Sequence, residues 1–275
     1  MSSSVSIFSL LALVVFVILS YYHMIIADQS ERNPHACMLR YTSSLDHVEF
    51  WKYMVEIVSK CSYGDPLLDR VEVYSNRDEP KFFIPPVLDA YNCTIISLGI
   101  GRDIRAAHPN CIIHGVDPVK DPNEELVKPI GKFHHFAISN DKDQDSTSHI
   151  LTKKGYRNEV VPKVSLTTFL QKHVNTTLVD NIFIDIEHAE YGMMNDLLST
   201  GVLARNGLTI CQMYLEMHIP EEHEKLTAYK FLVDNAMTED YLPLISGKWT
   251  WYWTHHNKIY FVNRKSIECL RKFDL

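Results

Sequence analysis

The stretch from residue 93 to residue 118, CTIISLGIGRDIRAAHPNCIIHGVDP, restricts the fold more than any other part of the chain. A β-rich apolar run, Thr94–Leu98, leads into Gly99-Ile100-Gly101-Arg102-Asp103 and a helix-compatible Ile104–His108. A second apolar run, Cys111–Val116, then closes on Asp117-Pro118. Strands that are apolar along their whole length need cover on both faces, and crossover helices supply that cover in a parallel sheet. Glycine at the carboxyl end of such a strand permits backbone angles closed to other residues and lets a ligand approach the chain. Asp117 falls 18 positions after Gly99. That spacing puts a carboxylate at the tip of the next strand, where it can accept hydrogen bonds from both hydroxyls of a ribose. The third glycine of the dinucleotide fingerprint is absent, because Arg102 and Asp103 follow Gly101. The turn therefore suits a nucleoside ligand without a pyrophosphate.

The alternation continues along the chain. Lys132–Ile138 reads as a third strand, Asn181–Ile186 as a fourth and Leu208–Met217 as a fifth. Val164–His173 begins a helix, and Tyr191–Leu198 and Glu221–Asn235 read as two more. The tail, Trp249–Val262, alternates like a hairpin around His255-His256-Asn257-Lys258. The expected fold is α/β: a Rossmann-like, seven-stranded sheet, mostly parallel, with an antiparallel edge hairpin. Ahead of it, Phe50, Met54, Ile57, Val58 and Cys61 recur at helical spacing between Asp46 and Cys61, and Gly64-Asp65-Pro66 stops the pattern. Residues 28–44 read as a polar stalk and residues 75–92 as an irregular approach segment.

From Val5 to Ala27 there are 23 residues without Asp, Glu, Lys or Arg. As a helix that run spans about 34 Å, against a hydrocarbon core of about 30 Å. It exceeds the usual signal-peptide core of about 7–15 residues, so a retained anchor is preferred to a cleaved leader. The expected organisation is a transmembrane signal anchor at 1–27, a stalk and helix at 28–69, and an α/β domain at 70–275. Two sequons, Asn92-Cys93-Thr94 and Asn175-Thr176-Thr177, incline the domain towards a lumenal or extracellular face. The six cysteines show no CxxC and no zinc spacing, and their even number allows pairing in an oxidising compartment. The balance of 27 basic against 34 acidic residues, −7 net, argues against a nucleic-acid partner.

In order along the chain, CTIISLGIGRDIRAA, CIIHGVDPV, FHHFAIS, VSLTTFL, NIFIDIEHAEYGMM and ICQMYLEMH resemble the FkbM-type S-adenosylmethionine-dependent methyltransferases. The resemblance runs over roughly residues 70–265, and its most specific element is Ile184–Tyr191. There the family shows Asp-x-Glu-Gly-Ala-Glu, and this chain has His188 in the place of the glycine. The resemblance implies that Gly99 and Gly101 line the methionine end of the cofactor, that Asp117 holds the ribose, and that Pro118 and Ala137 lie by the adenine. It sets Asp185 and Glu187 at the strand tip facing the transferred methyl. Asp185, Glu187 or His188 would then take the proton of an acceptor hydroxyl.

The implied function is O-methylation of an unidentified acceptor (glycan, lipid, small metabolite or protein) by a domain held at a membrane through its N-terminal helix. The alternative is a catalytically inactive, membrane-anchored methyltransferase-like interaction protein, which His188 favours. A nicotinamide-dependent oxidoreductase is disfavoured by the missing third glycine and by the lack of a Tyr-x-x-x-Lys pair. Glu190 reads as a charge complementing a helix amino terminus. Glu216, His218 and His223 could suggest a metal, as could Asp185 with Glu187, but they match no familiar ligand spacing, so a structural or acceptor-contact role is preferred and no metal is expected. His134 and His135, adjacent in a strand, should point to opposite faces.

Overall fold

The computed structural model describes residues 33–75, 80–88, 92–99, 109–140, 144–152, 155–251 and 254–275. Its centre is a sheet of seven strands: β1 Cys93–Leu98, β2 Cys111–Val116, β3 Gly131–His134, β4 Asn181–Ile184, β5 Gln212–Met217, β6 Leu242–Trp251 and β7 Thr254–Val262. They lie in the order β6-β7-β5-β4-β1-β2-β3. Strands β1 to β5 are parallel, and β7 runs antiparallel to both neighbours. The chain begins in the middle, winds out to β3 and crosses back to β4. The order therefore reverses between β1 and β4, the place where open α/β sheets receive their ligands.

The apolar strands are covered on both faces, as their composition requires. Ile182, Ile184, Met213, Leu215 and Met217 face one core, while Phe183 and Tyr214, between them in the chain, face the other. Burying each such side chain contributes about 1.5–3 kcal/mol. The first core is closed by helices α1 Pro34–Thr42, α2 His47–Cys61, α3 Ala189–Leu197 and α4 Glu222–Thr238. Helix α2 starts where expected, because the Asp46 carboxylate accepts the Val48 and Glu49 N–H groups. On the second face lie the short turn Pro66–Arg70, a hairpin of Glu72–Ser75 with Pro80–Phe83, and α5 Ile267–Phe273. Buried Gln212 pins that hairpin to the sheet: its Oε1 accepts the Ile84 N–H at 2.8 Å and its Nε2 donates to Ile84 O at 2.9 Å.

All six cysteines are paired, as Cys37–Cys61, Cys93–Cys111 and Cys211–Cys269. The first pair corrects the reading of residues 28–44 as a stalk. Within it, Pro34–Thr42 is a helix with Met38 1% exposed, tied to α2 by the disulfide and packed on α4. The expected third strand divides in two. Phe136 N–H turns back to His134 O, and Ala137–Ser139 leaves to pair with Lys163–Ser165 in a separate three-stranded sheet. The fifth divides at Cys211, with Thr209–Ile210 pairing Leu178–Val179 before β5 begins. The hairpin turns between Trp251 and Thr254 rather than at His255–Lys258, and its first strand reaches back to Leu242. Pro243 hid that strand, since proline removes a ladder donor; it is accommodated by a register shift between Pro243 and Ile245. Among the described residues no helix is long and apolar enough to cross a membrane. The apolar run 5–27 lies outside them.

Candidate active site at the strand tips

Three turn residues meet at the carboxyl edge of the sheet because backbone hydrogen bonds extend the strand pairing by one step. Gly99 N–H donates to Val116 O at 3.4 Å, Asp117 N–H to His134 O at 3.1 Å, and Asp185 N–H to Leu98 O at 3.0 Å. Gly99 has φ +89°, and a Cβ built there would stand 3.1 Å from Asp185 O and 3.5 Å from Asp185 Oδ2. Both the backbone angle and the close approach require glycine here. Asp117 is half-buried, and its Oδ1 accepts the Val119 N–H at 2.6 Å. Burial pushes its carboxyl up from the usual range; the Val119 N–H, Asn123 and His135 oppose this, and the charge of Glu187 adds to it.

The other expected cofactor residues fall around this edge. Gly101 and the helix expected at Ile104–His108 lie outside the described residues. Pro118 O is 3.0 Å from His135 Nε2. Ala137 is buried, and its strand packs on α3, where Asn140 Nδ2 donates to Gly192 O at 2.8 Å. His134 turns the other way, as strand alternation predicts. Its Nε2 lies 3.0 Å from His114 Nδ1, beside the rings of Phe136, Phe169 and His173. Burial first, then the neighbouring imidazoles and Lys132, pushes both His114 and His134 down to about 4.

At the tip of β4 the backbone takes two successive left-handed residues, Glu187 at φ +53° and His188 at φ +76°. The glycine expected at position 188 is thus a conformational requirement, which His188 meets at a cost of about 1–2 kcal/mol. The bend directs Asp185 and Glu187 towards the end of β5, where His218 stands buried. Its Nε2 is 3.4 Å from Asp185 Oδ1 and 3.3 Å from Glu187 Oε2. On the far side of the ring, Nδ1 is 3.0 Å from Glu190 Oε1, which also accepts the His218 N–H at 2.9 Å. The Tyr191 hydroxyl donates to His218 O. Burial alone would lower the imidazole's pKa, but Glu190, with Asp185 and Glu187, holds it up at about 9. Glu190 stands in the first turn of α3, the helix amino terminus expected of it, and is fully buried behind His218.

The remaining candidates separate. His188 Nδ1 is 3.2 Å from Glu224 Oε2, which also accepts the Glu221 N–H at the start of α4. Glu216 binds Lys258 Nζ at 2.7 Å and lies 3.3 Å from His256 Nδ1. Burial would raise its carboxyl, but those two partners bring it to about 2. Among the described residues His223 pairs with Glu221 alone, on the surface. The grouping Glu216, His218 and His223 is therefore not assembled. Instead one potential ligand atom each from Asp185, Glu187 and His218 lie within 4.8 Å of one another, and so do those of Glu216, His218 and His256. Spacing gave no sign that His218 would stand beside Asp185 and Glu187. The available signal was its place at the end of the strand next to β4.

Residues 69–257 match the family model of the methyltransferase FkbM domain. No curated protein matches the chain. The matched span covers more than half of the molecule and includes Gly99, Asp117, the Asp185–Glu190 turn and His218, so the chain belongs to the FkbM methyltransferase domain family.

Proposed function

We propose that the protein binds S-adenosylmethionine across the tips of β1, β2 and β4 and methylates an oxygen atom of an acceptor at the same edge. The observation that carries this reading is the stitched edge itself. Gly99 leaves bare the place that a Cβ would fill against Asp185, and the Asp117 carboxylate stands one strand away. Those features fit a nucleoside with a methionine tail. In this reading Gly99 and Gly101 line the methionine end, Asp117 holds the ribose, and Pro118 and Ala137 flank the adenine. When bound, the cofactor supplies an electrophilic methyl group on a sulfonium sulfur.

The chain's own work is alignment and removal of a proton. Asp185 and Glu187 are held by a bent, left-handed turn on one side and by His218 on the other, so their carboxylates are fixed at the edge. Either can accept the hydroxyl proton. His188, tied to Glu224, is the third proton acceptor at this edge. We place the domain on the lumenal or extracellular side of a membrane, anchored by residues 1–27. The complete pairing of the cysteines and the exposure of Asn92 and Asn175 support that placement.

Calorimetric titration of the purified full chain with S-adenosylmethionine should show binding. Labelled-methyl transfer should then mark one of the glycan, lipid, small-molecule or protein fractions. Binding without transfer to any fraction, or no binding by a folded chain, would overturn the enzymatic reading and leave the interaction protein standing.

A further inference from the structure

The geometry points to a divalent-cation site formed by Asp185, Glu187 and His218, beside the bare glycine turn and open to the acceptor. It rests on the proposed function for its role, though not for its existence. Ligand–metal bonds of about 2.0–2.2 Å place neighbouring ligand atoms about 3.0–3.5 Å apart around one ion. His218 Nε2 stands 3.4 Å from Asp185 Oδ1 and 3.3 Å from Glu187 Oε2. These separations are longer than a good charge-assisted hydrogen bond, about 2.7–2.9 Å, and match ligands sharing an ion.

The second observation is Glu190. None of it is exposed; one oxygen engages His218 Nδ1 and the other has no hydrogen-bond partner among the described residues. A carboxylate behind a histidine fixes the ring with its proton on Nδ1 and presents the Nε2 lone pair forward, the arrangement that supports histidine ligands in metal proteins.

Exposure differs across the set as an open site requires. The His218 side chain is 5% exposed, Glu187 20% and Asp185 33%, so the ring forms the floor and the carboxylates the rim. Because Asp185 Oδ2 also faces Gly99, the ion would sit one carboxylate away from the cofactor turn. The overlapping group of Glu216, His218 and His256 is the weaker one, since Lys258 already neutralises Glu216 and would repel a dication. Two carboxylates and an imidazole suit magnesium, manganese or zinc.

A hydroxyl of the acceptor would complete the coordination, and its pKa would fall. Because Asp185 and Glu187 would then hold the ion, the proton passes to His188 or to solvent, the hydroxyl's oxygen pair forms the new O–C bond, and the C–S pair stays on the sulfur of the methyl donor.

The test uses the full chain in detergent, stripped with EDTA and titrated with Mn2+ while free Mn2+ is followed by electron paramagnetic resonance. One ion per chain should bind. Glu187→Gln, Asp185→Asn and His218→Gln should each weaken binding at least about tenfold, and Glu190→Gln about 10–100-fold. Glu159→Gln, far along the chain on an exposed strand, should bind as wild type. Circular dichroism confirms that each variant is folded; Glu187→Gln leaves the Glu190–His218 pair intact and serves if the others do not fold. No uptake of Mn2+ or Zn2+ by folded wild type, or unchanged affinity in both Glu187→Gln and Glu190→Gln, overturns the site. A parallel titration with S-adenosylmethionine separates the two readings. Cofactor binding without ion binding refutes the cation site alone, and ion binding without cofactor binding supports it while refuting the cofactor assignment.

Discussion

Asp117 and His188 both stand at strand tips, and they answer to different physics. Asp117 is held away from water, one oxygen engaged by the Val119 N–H, so its carboxylate is oriented before any ribose arrives. Hydrogen bonds to a charged group contribute about 1.5–3 kcal/mol, so Asp117→Ala should weaken S-adenosylmethionine binding by roughly 10–150-fold. Removal of a half-buried charge also relieves desolvation, so the variant should stay folded. Unchanged affinity by calorimetry in a folded variant would exclude the ribose role. His188 is a matter of backbone. At φ +76° glycine is unstrained, whereas an alanine has no polar group to offset the left-handed conformation. His188→Ala should be less stable than His188→Gly by about 1 kcal/mol, read as the difference in midpoint of urea unfolding. Equal midpoints would show that the turn relaxes. If His188 is the proton acceptor, both variants should lose transfer while keeping cofactor affinity; if it only fills the pocket, His188→Gly should gain turnover.

Among the elements, α1 shows its dependence on tertiary contacts. It has 9 residues, too few for a stable helix in water, and it holds its place through the Cys37–Cys61 disulfide and buried Met38. The bridge closes a sequence separation of 24, for which chain entropy gives about 3.5 kcal/mol. Replacing both cysteines by serine should therefore lower unfolding stability by about 2–4 kcal/mol and open residues 33–45 to limited proteolysis before the sheet. Unaltered protease resistance would show that packing alone secures the helix. Element types were largely legible in the sequence: α2, the parallel strands and the glycine turn all follow from local pattern. The misreadings have definite causes. The strand beginning at Leu242 was obscured by Pro243, and the apolar runs at 132–138 and 208–217 conceal chain exits to other sheets at Phe136 and Cys211. Side-chain polarity does not record which neighbouring strand a backbone will pair with.

At the scale of the molecule, three disulfides, two exposed sequon asparagines and an apolar run at residues 5–27 bear on one question, the compartment. In cells with intact membranes the domain should resist added protease, shift in mobility after glycosidase treatment, and yield no alkylatable thiol when denatured without reductant. Digestion from the cytosolic side of intact vesicles would refute that topology. The amino-acid order by itself determined the sheet's composition, the glycine turn at Gly99 and the carboxylates at Asp117 and Asp185. Each of these depends on a few consecutive residues, through strand alternation, permitted backbone angles and the position of a turn. Only the tertiary structure brought His218 against Asp185 and Glu187, buried Glu190 behind it and sent His223 to the surface. Those contacts exist because β4 and β5 lie side by side and the turn after β4 bends towards the end of β5, and strand order in a sheet is set by how the whole core packs.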